Sequence, residues 1–190
     1  MRFRLGIILA CCLCSCAVKT KDDYGQYLRN NEGAVVYSKQ DGNFCYGMTE
    51  RTRTHHQSIR SWMGGIINSW EVEFGRVLHA TMQSHDVGAA FAMPLMPQVE
   101  GASCPNLIVF DLIAYDFIEN KAKIRLSIRT ELADGREMTK EYYSEGRRQL
   151  GKMYWGKGFA TKNAIQQSTK LAMDSILTSY FNELTRFRGQ

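Results

Sequence analysis

Several signatures of catalysis are missing from this 190-residue chain. The sequence has no His-Glu-x-x-His motif, paired-cysteine zinc spacing, Gly-x-Ser-x-Gly elbow, phosphate-binding loop or dinucleotide fingerprint. Each of these motifs would have indicated a metal, a nucleophile or a cofactor. Without them, the sequence predicts a protein that is not an enzyme and that needs no metal or cofactor.

The chain also has few prolines, no internal repeats and no large charge excess. The chain has only three prolines, no repeat and no low-complexity tract, which excludes collagen-like, repeat and disordered classes. Its net charge of +5 is too small to indicate a nucleic acid partner. What is present is an ordinary globular composition, 44% hydrophobic and 11% aromatic.

The N-terminal apolar run is too short to cross a membrane. Arg2 and Arg4 precede an apolar stretch over residues 5–15, well below the ~20 residues of a bilayer-spanning helix. This pattern is typical of an export signal. The stretch ends in Leu-Cys-Ser-Cys at residues 13–16, which resembles the bacterial lipobox, in which a small residue precedes a cysteine that is acylated and becomes the mature N-terminus.

The lipobox resemblance implies that residues 1–15 are removed and that Cys16 carries the acyl chains. Two or more chains give durable attachment, since each buried methylene contributes ~0.8 kcal/mol. In such lipoproteins an Asp after the cysteine marks retention at the inner membrane. Because Ala17 stands there, the resemblance implies the periplasmic face of a Gram-negative outer membrane. Cleavage before Cys11 and an ordinary cysteine-rich signal peptide are the alternatives.

The rest of the chain is predicted to form one domain. Residues 1–15 are the signal peptide, residues 16–32 are the lipidated N-terminus and a polar tether, and residues 33–190 are a single domain. Two of the 24 basic residues leave with the signal, so the mature chain has 22 against 19 acidic residues, a net charge of +3.

Only two of the six cysteines belong to the predicted domain. Cys45 and Cys104 both lie in turn-like sequence, and an oxidising periplasm favours a bridge between them. Such a bridge would stabilise the fold by roughly 4 kcal/mol on the chain-entropy model. Two buried free thiols, or a catalytic or metal-binding cysteine, are the alternatives.

The clearest strands lie in the second half of the chain. Residues 106–118 are mostly apolar, which predicts a central strand, and residues 121–132 alternate between polar and apolar side chains. The dipeptide Asp134-Gly135 predicts a tight hairpin turn into a return strand over residues 137–143. The sheet is therefore predicted to be antiparallel here.

The first half gives weaker signals. Residues 34–37 predict a first strand, residues 44–48 its continuation, and the basic stretch 49–60 a loop. Apolar residues at helical spacing predict an amphipathic helix of about 16 residues that begins at Asn68 or Ser69.

Two further residues are assigned roles in the predicted helices. Gly75 costs helix stability, and its presence is predicted to mark close packing against a strand. Thr161 is predicted to cap a final helix of about six turns that covers the sheet.

These elements predict an α+β fold, a twisted antiparallel sheet with two helices packed on one face. With the residues 13–16 motif, the rhythm of residues 107–112, 133–135 and 164–177 resembles that of small Gram-negative lipoproteins of the YajG, CsgG-like and transport-auxiliary (PqiC-like) groups. The resemblance implies an accessory role in envelope transport or assembly. A channel role is not expected, because no polymer-secreting insertion is present.

The four histidines, together with Asp111 and Asp116, are the candidates for chemistry. His55 and His56 are adjacent and must point in different directions, while the other two histidines are six residues apart, so all four are predicted to be structural. Asp111 and Asp116 are five residues apart, which predicts opposite faces of one strand. Asp111 is predicted to be a buried acceptor for backbone or tyrosine donors.

The polar face of the alternating strand is basic. If helices cover its other face, it meets water and can bind an anionic partner, although a merely solvated face is the alternative. The residues are Lys121, Lys123, Arg125 and Arg129, joined across the hairpin by Arg136 and Lys140. The loop with Tyr154 and Trp155 mixes aromatic and basic residues as interfaces do; a folded-back core loop is its alternative.

We therefore expect a lipid-anchored periplasmic binding protein of the outer membrane. Its expected partners are the membrane, through the N-terminal lipid, and an envelope protein or lipid. Two alternatives stay open: a periplasmic hydrolase using His55, His56 or His85 with an acidic residue, and a structural lipoprotein that ties the outer membrane to peptidoglycan.

Overall fold

A computed structural model describes residues 18–20, 23–63, 66–93, 95–99, 103–148 and 157–189. These residues form two sheets and five helices, which confirms the predicted α+β class. In chain order the elements are β1 (Val18–Thr20), α1 (Tyr24–Arg29), β2 (Phe44–Met48), α2 (Glu50–Thr54), β3 (His56–Met63), β4 (Ile66–Glu73), α3 (Phe74–Met82), α4 (His85–Gly88), β5 (Met96–Pro97), β6 (Asn106–Ile118), β7 (Lys121–Glu131), β8 (Glu137–Glu145) and α5 (Lys157–Arg188).

The larger sheet has the strand order β5-β2-β6-β7-β8. Strands β6, β7 and β8 form the predicted antiparallel meander. Its first turn places Glu119 and Asn120 at positive φ and its second places Gly135 there, as tight hairpin turns require. The structure adds a parallel edge, in which β2 pairs with β6 and β5 pairs with β2.

The long helix α5 packs across β7 and β8 and is buried on two sides. On the sheet side, the Tyr180 hydroxyl lies 2.7 Å from the Thr130 hydroxyl, and Ser168 Oγ accepts a 2.8 Å hydrogen bond from the Ala122 amide. On the opposite side, the rings of Tyr37 and Phe91 meet Phe181 edge to face at 5.3 Å. Burial on both sides explains why few of its residues are exposed.

Helix α3 covers the same sheet face as α5. The ring of Phe74 packs against that of Tyr115 at 5.5 Å, and the Tyr115 hydroxyl lies 2.9 Å from Thr169 of α5. The two predicted helices therefore share one face of the sheet. None of the described helices combines the length and the apolar composition needed to cross a bilayer.

The smaller sheet has the order β1-β4-β3 and corrects the first predicted helix. The amphipathic helix expected from Asn68 begins only at Phe74, because residues 66–73 form β4 instead. Trp70 and Val72 are buried and alternate with partly exposed neighbours, which is strand periodicity. Gly75 packs against the backbone of Arg53 in α2 and not against a strand: an added Cβ would lie 2.6 Å from the Arg53 carbonyl oxygen.

Two predictions between residues 34 and 60 were also wrong. The stretch 34–37 forms no strand, although the Tyr37 side chain is buried. The predicted loop over residues 49–60 contains α2 and the start of β3, because the Thr49 hydroxyl accepts a hydrogen bond from the Thr52 amide and so caps α2.

Residues 16–32, predicted to be a polar tether, contain β1 and α1. Tyr24 and Leu28 are one helical turn apart and both are buried in the core. This i, i+4 pair is a helical signal within a stretch whose polar composition predicts a tether. The final helix likewise begins earlier than predicted, at Lys157, so Thr161 lies within it and is not its cap.

Candidate functional site

Three of the predicted site residues lie outside the described part of the chain. These are the lipidation candidate Cys16 and the loop residues Tyr154 and Trp155. The predicted pairing of Cys45 with Cys104 is present as a disulfide with a Cα–Cα distance of 6.1 Å. The bridge links β2 to the segment that enters β6, and so fastens the parallel edge of the larger sheet.

Lys121, Lys123, Arg125 and Arg129 share the sheet face opposite α5, as predicted. Each nevertheless has a partner within the chain. Lys121 and Lys123 form ion pairs with Glu145, and the hydrogen bonds from Lys121 and Tyr143 lower the pKa of Glu145 to about 2.

The other two basic side chains on this face are also engaged. Arg129 forms an ion pair with Glu131, and the Arg125 guanidinium lies over the Tyr143 ring at 5.7 Å.

The face as a whole is not basic. By strand register it also carries six carboxylates, on Asp111, Asp116, Glu131, Glu137, Glu141 and Glu145. The predicted contributions of Arg136 and Lys140 are wrong, because both contact α5. Arg136 donates a 2.9 Å hydrogen bond to the carbonyl oxygen of Phe187, and Lys140 forms a 2.6 Å ion pair with Glu183.

Asp111 holds α2 against the sheet. Its carboxylate accepts hydrogen bonds from the Thr49 hydroxyl at 2.7 Å and from the Arg51 guanidinium at 3.1 and 2.5 Å. Burial alone would raise the pKa of Asp111, but these donors outweigh it and the pKa is lowered. Asp111 is therefore an acceptor as predicted, but its donors are threonine and arginine side chains, and its own side chain is 34% exposed and not buried.

The prediction that Asp111 and Asp116 lie on opposite faces was wrong. A β-bulge between Leu112 and Ala114 shifts the register by one residue, so both aspartates share a face. The strand register places Asp111 opposite Ser127 and Asp116 opposite Lys123. Residues 123 and 127 are four apart on β7 and therefore face the same side of the sheet.

An amphipathic groove runs beside α3, and sequence reasoning missed it. Met48 and Ala80 contribute apolar side chains to its lining, and Arg53, Arg76 and His79 contribute basic side chains. The groove has a volume of about 440 Å³. His79 Nδ1 lies 2.7 Å from the Tyr46 hydroxyl.

A second recess of about 630 Å³ continues the groove past Met48 and Arg53 to Pro97 and Gln98. We call the two recesses together the α3 groove. It combines an apolar surface with positive charge.

A buried ionic cluster lies away from the groove, where α5 meets α4 and the chain near Gly33. Lys170 Nζ lies 2.7 Å from Asp174 and 3.8 Å from Asp86, and all three side chains are buried. The Tyr37 hydroxyl donates to Asp174 at 3.0 Å, and burial together with this carboxylate raises the pKa of Tyr37. The Lys170–Asp174 spacing of four was visible in the sequence, but the contact with Asp86 depends on tertiary packing.

The four histidines contact different parts of the chain. His55 packs against Tyr115 at 6.4 Å between ring centroids, and its pKa is lowered first by burial and then by the neighbouring His56. His85 Nδ1 lies 3.8 Å from Asp86. Within the described ranges, no three histidine, cysteine or acidic side chains are grouped as a metal site would require.

Comparison with known proteins identifies the fold alone. No protein-family model and no curated protein matches the chain. The solved structures that match include the crystal structure of protein XCC0632 from Xanthomonas campestris, which is described as a member of family DUF330. The two share 9% sequence identity with a TM-score of 0.52, over 81% of this chain and 92% of the other.

Proposed function

We propose that this protein is a lipid-anchored accessory protein of the outer membrane, on its periplasmic face. It would support an envelope transport or assembly system by binding a partner protein through the α3 groove. The observation that carries the anchor is the order of cationic start, short apolar run and Leu-Cys-Ser-Cys at residues 13–16. The Cys45–Cys104 disulfide supports an oxidising compartment such as the periplasm.

The α3 groove is a better binding surface than the face with Lys121 and Arg129. On that face, neighbouring carboxylates already neutralise the basic groups. Among the described residues, the ion-pair partners of Arg53 and Arg76 in the groove are Glu50 and Glu73, exposed side chains three positions away in the sequence.

Exposed ion pairs of this kind contribute little, so a partner's carboxylates can replace them at low cost. The apolar side chains of Met48 and Ala80 supply the desolvated contact that a stable interface needs. The occupant we propose is therefore a segment of an envelope protein that carries apolar side chains flanked by acidic ones.

Cross-linking in the intact envelope, followed by purification of the protein and mass spectrometry, tests this proposal. The groove variant is Arg53→Glu with Arg76→Glu, and the matched control is Lys123→Glu with Arg125→Glu on the sheet face. We expect the groove variant to lose about tenfold or more of the partner captured by the wild type, because each reversal places like charges together. The control should retain the partner.

Two outcomes would contradict the proposed site. Loss of the partner in the control variant alone would transfer binding to the sheet face. Equal capture by the wild type and both variants would remove the α3 groove as the contact surface. Circular dichroism of the purified variants separates either outcome from unfolding.

A further inference from the structure

A chain of hydrogen bonds runs from the C-terminal end of α3 to the α3 groove. The Gln83 side chain donates from Nε2 to the Leu95 carbonyl oxygen at 2.9 Å and to the Tyr46 hydroxyl at 3.3 Å. The Tyr46 hydroxyl in turn lies 2.7 Å from Nδ1 of His79. His79 and Gln83 are four residues apart, so they share one side of the helix and both reach Tyr46 of β2.

The chemistry of the partners determines the direction of each hydrogen bond. A carbonyl oxygen only accepts, so the Gln83 atom that faces Leu95 is the amide nitrogen, which gives its second proton to Tyr46. The Tyr46 hydroxyl therefore accepts from Gln83 and has one proton of its own to donate. The acceptor of that proton is Nδ1 of His79.

Burial keeps Tyr46 in the form that donates. The residue is 1% exposed, and burial raises the pKa of its hydroxyl, although the hydrogen bond from Gln83 lowers it. If Nδ1 of His79 carried a proton instead, the buried Tyr46 proton would have no acceptor among the described residues. Because buried polar groups are rarely left unpaired, Nδ1 is the acceptor.

His79 therefore presents a hydrogen-bond donor to the groove. With Nδ1 accepting from Tyr46, the ring proton lies on Nε2, which has no hydrogen-bond partner among the described residues. The His79 side chain is exposed and lines the same recess as Arg53 and Arg76. Arg76 precedes His79 by three residues and so lies beside it on α3. Three side chains that offer N–H groups to a ligand thus line one recess.

We propose that His79 recognises a carboxylate of the protein segment bound in the α3 groove, through a hydrogen bond from Nε2. This inference rests on the proposed function of the groove and names the group by which the partner is held. A carboxylate accepts several hydrogen bonds at once, so it can bind Nε2 together with the guanidinium groups of Arg53 and Arg76. Tyr46 is a positioning residue, because its proton holds the ring in the form in which Nε2 donates.

Heteronuclear NMR of isotope-labelled histidine rings in the purified full chain tests this recognition. The probe is sodium acetate, and acetamide is the uncharged control of similar shape. In the wild type we expect the His79 proton on Nε2, and a saturable change in its resonance with acetate but not with acetamide. Tyr46→Phe should populate both ring tautomers and bind acetate about threefold or more weakly, because the donor is no longer held in place. The resonances of His85, an exposed histidine of α4, should stay unchanged throughout.

Cross-linking in the intact envelope extends the test to the partner. His79→Leu removes the donor, whereas His79→Gln keeps an N–H group near the position of Nε2. We expect His79→Leu to capture about tenfold less partner than the wild type, because hydrogen bonds to charged groups are strong. His79→Gln should restore most of the capture, and the matched control His85→Leu should retain all of it.

The possible failures are distinguishable. A His79 proton on Nδ1, or equal responses to acetate and acetamide, would overturn the proposal. Full capture by His79→Leu, with capture lost in the variant that reverses Arg53 and Arg76, would overturn the role of His79 and leave the groove as the binding surface. Full capture by every variant would remove the groove, and the inference with it. Urea denaturation of each variant identifies any loss that is due to unfolding.

Discussion

At the residue scale, the close approach of α5 to the end of β8 depends on Gly146. Its amide donates a 2.8 Å hydrogen bond to the Ala122 carbonyl, and Ser168 of α5 lies directly above it. A Cβ at residue 146 would lie 2.0 Å from the Ser168 carbonyl oxygen, far inside van der Waals contact. We therefore expect Gly146→Ala to lower the free energy of unfolding by about 1–3 kcal/mol, measured by urea denaturation.

Gly88 provides the control for this substitution. It ends α4, and an added Cβ there would meet nothing within 4 Å. Gly88→Ala should leave stability unchanged or raise it slightly, since alanine narrows the unfolded ensemble. Equal effects at the two glycines would show that crowding at Ser168 is not the cause.

The buried cluster of Asp86, Lys170 and Asp174 gives a second residue-scale prediction. Lys170→Met removes the one cation of the cluster and leaves two buried carboxylates without it. We expect a loss of about 3–5 kcal/mol in the free energy of unfolding at neutral pH. The matched control is Lys140→Met, whose partly exposed pair with Glu183 should be worth at most about 1 kcal/mol. Losses of similar size in the two variants would contradict a special role for the buried cluster.

At the element scale, the disulfide joins β2 to the segment that enters β6, its neighbour in the sheet but distant in sequence. Cys45 and Cys104 are separated by 59 residues, and the chain between them includes β3, β4, α3 and β5. Replacing both with serine should lower the free energy of unfolding by roughly 4 kcal/mol, because the unfolded chain regains the entropy of that loop. Denaturation of the reduced wild type provides the comparison and should match the double variant. Unchanged stability after reduction would refute this contribution.

At this scale, strand pairings between neighbouring segments could be predicted from the sequence, and pairings between distant segments could not. Strands β6 and β7 were predictable because alternation along one segment is a local signal, and a turn joins them. The parallel pairing of β2 with β6 was not, since it joins segments about sixty residues apart. Trp70 and Phe74 are spaced four apart, as on a helix, so this spacing wrongly predicts helix over the end of β4.

The candidate site was less predictable than the fold. Lys121 to Arg129 were correctly placed on one face, but their neutralisation by Glu145 and Glu131 depends on cross-strand and along-strand contacts that alternation does not reveal. The α3 groove combines residues from α1, α2, β2 and α3, so no pattern within a single segment of the sequence predicts it. The shift of Asp116 onto the face of Asp111 follows from a bulge that carries no clear local signal.

At the scale of the whole molecule, the proposed lipid anchor would determine which part of the domain lies near the membrane. The described domain begins at β1, two residues after Cys16, so a lipid on that cysteine would hold the small sheet close to the bilayer. The proposed role of the α3 groove in the envelope depends on this anchor.

Intact mass spectrometry of the mature protein, purified from the membranes of cells that express the full chain, tests the anchor most directly. The account predicts a chain that begins at Cys16, lacks residues 1–15 and carries two or three acyl chains on that cysteine. A mature chain with an unmodified N-terminal residue, or one that retains residues 1–15, would contradict it.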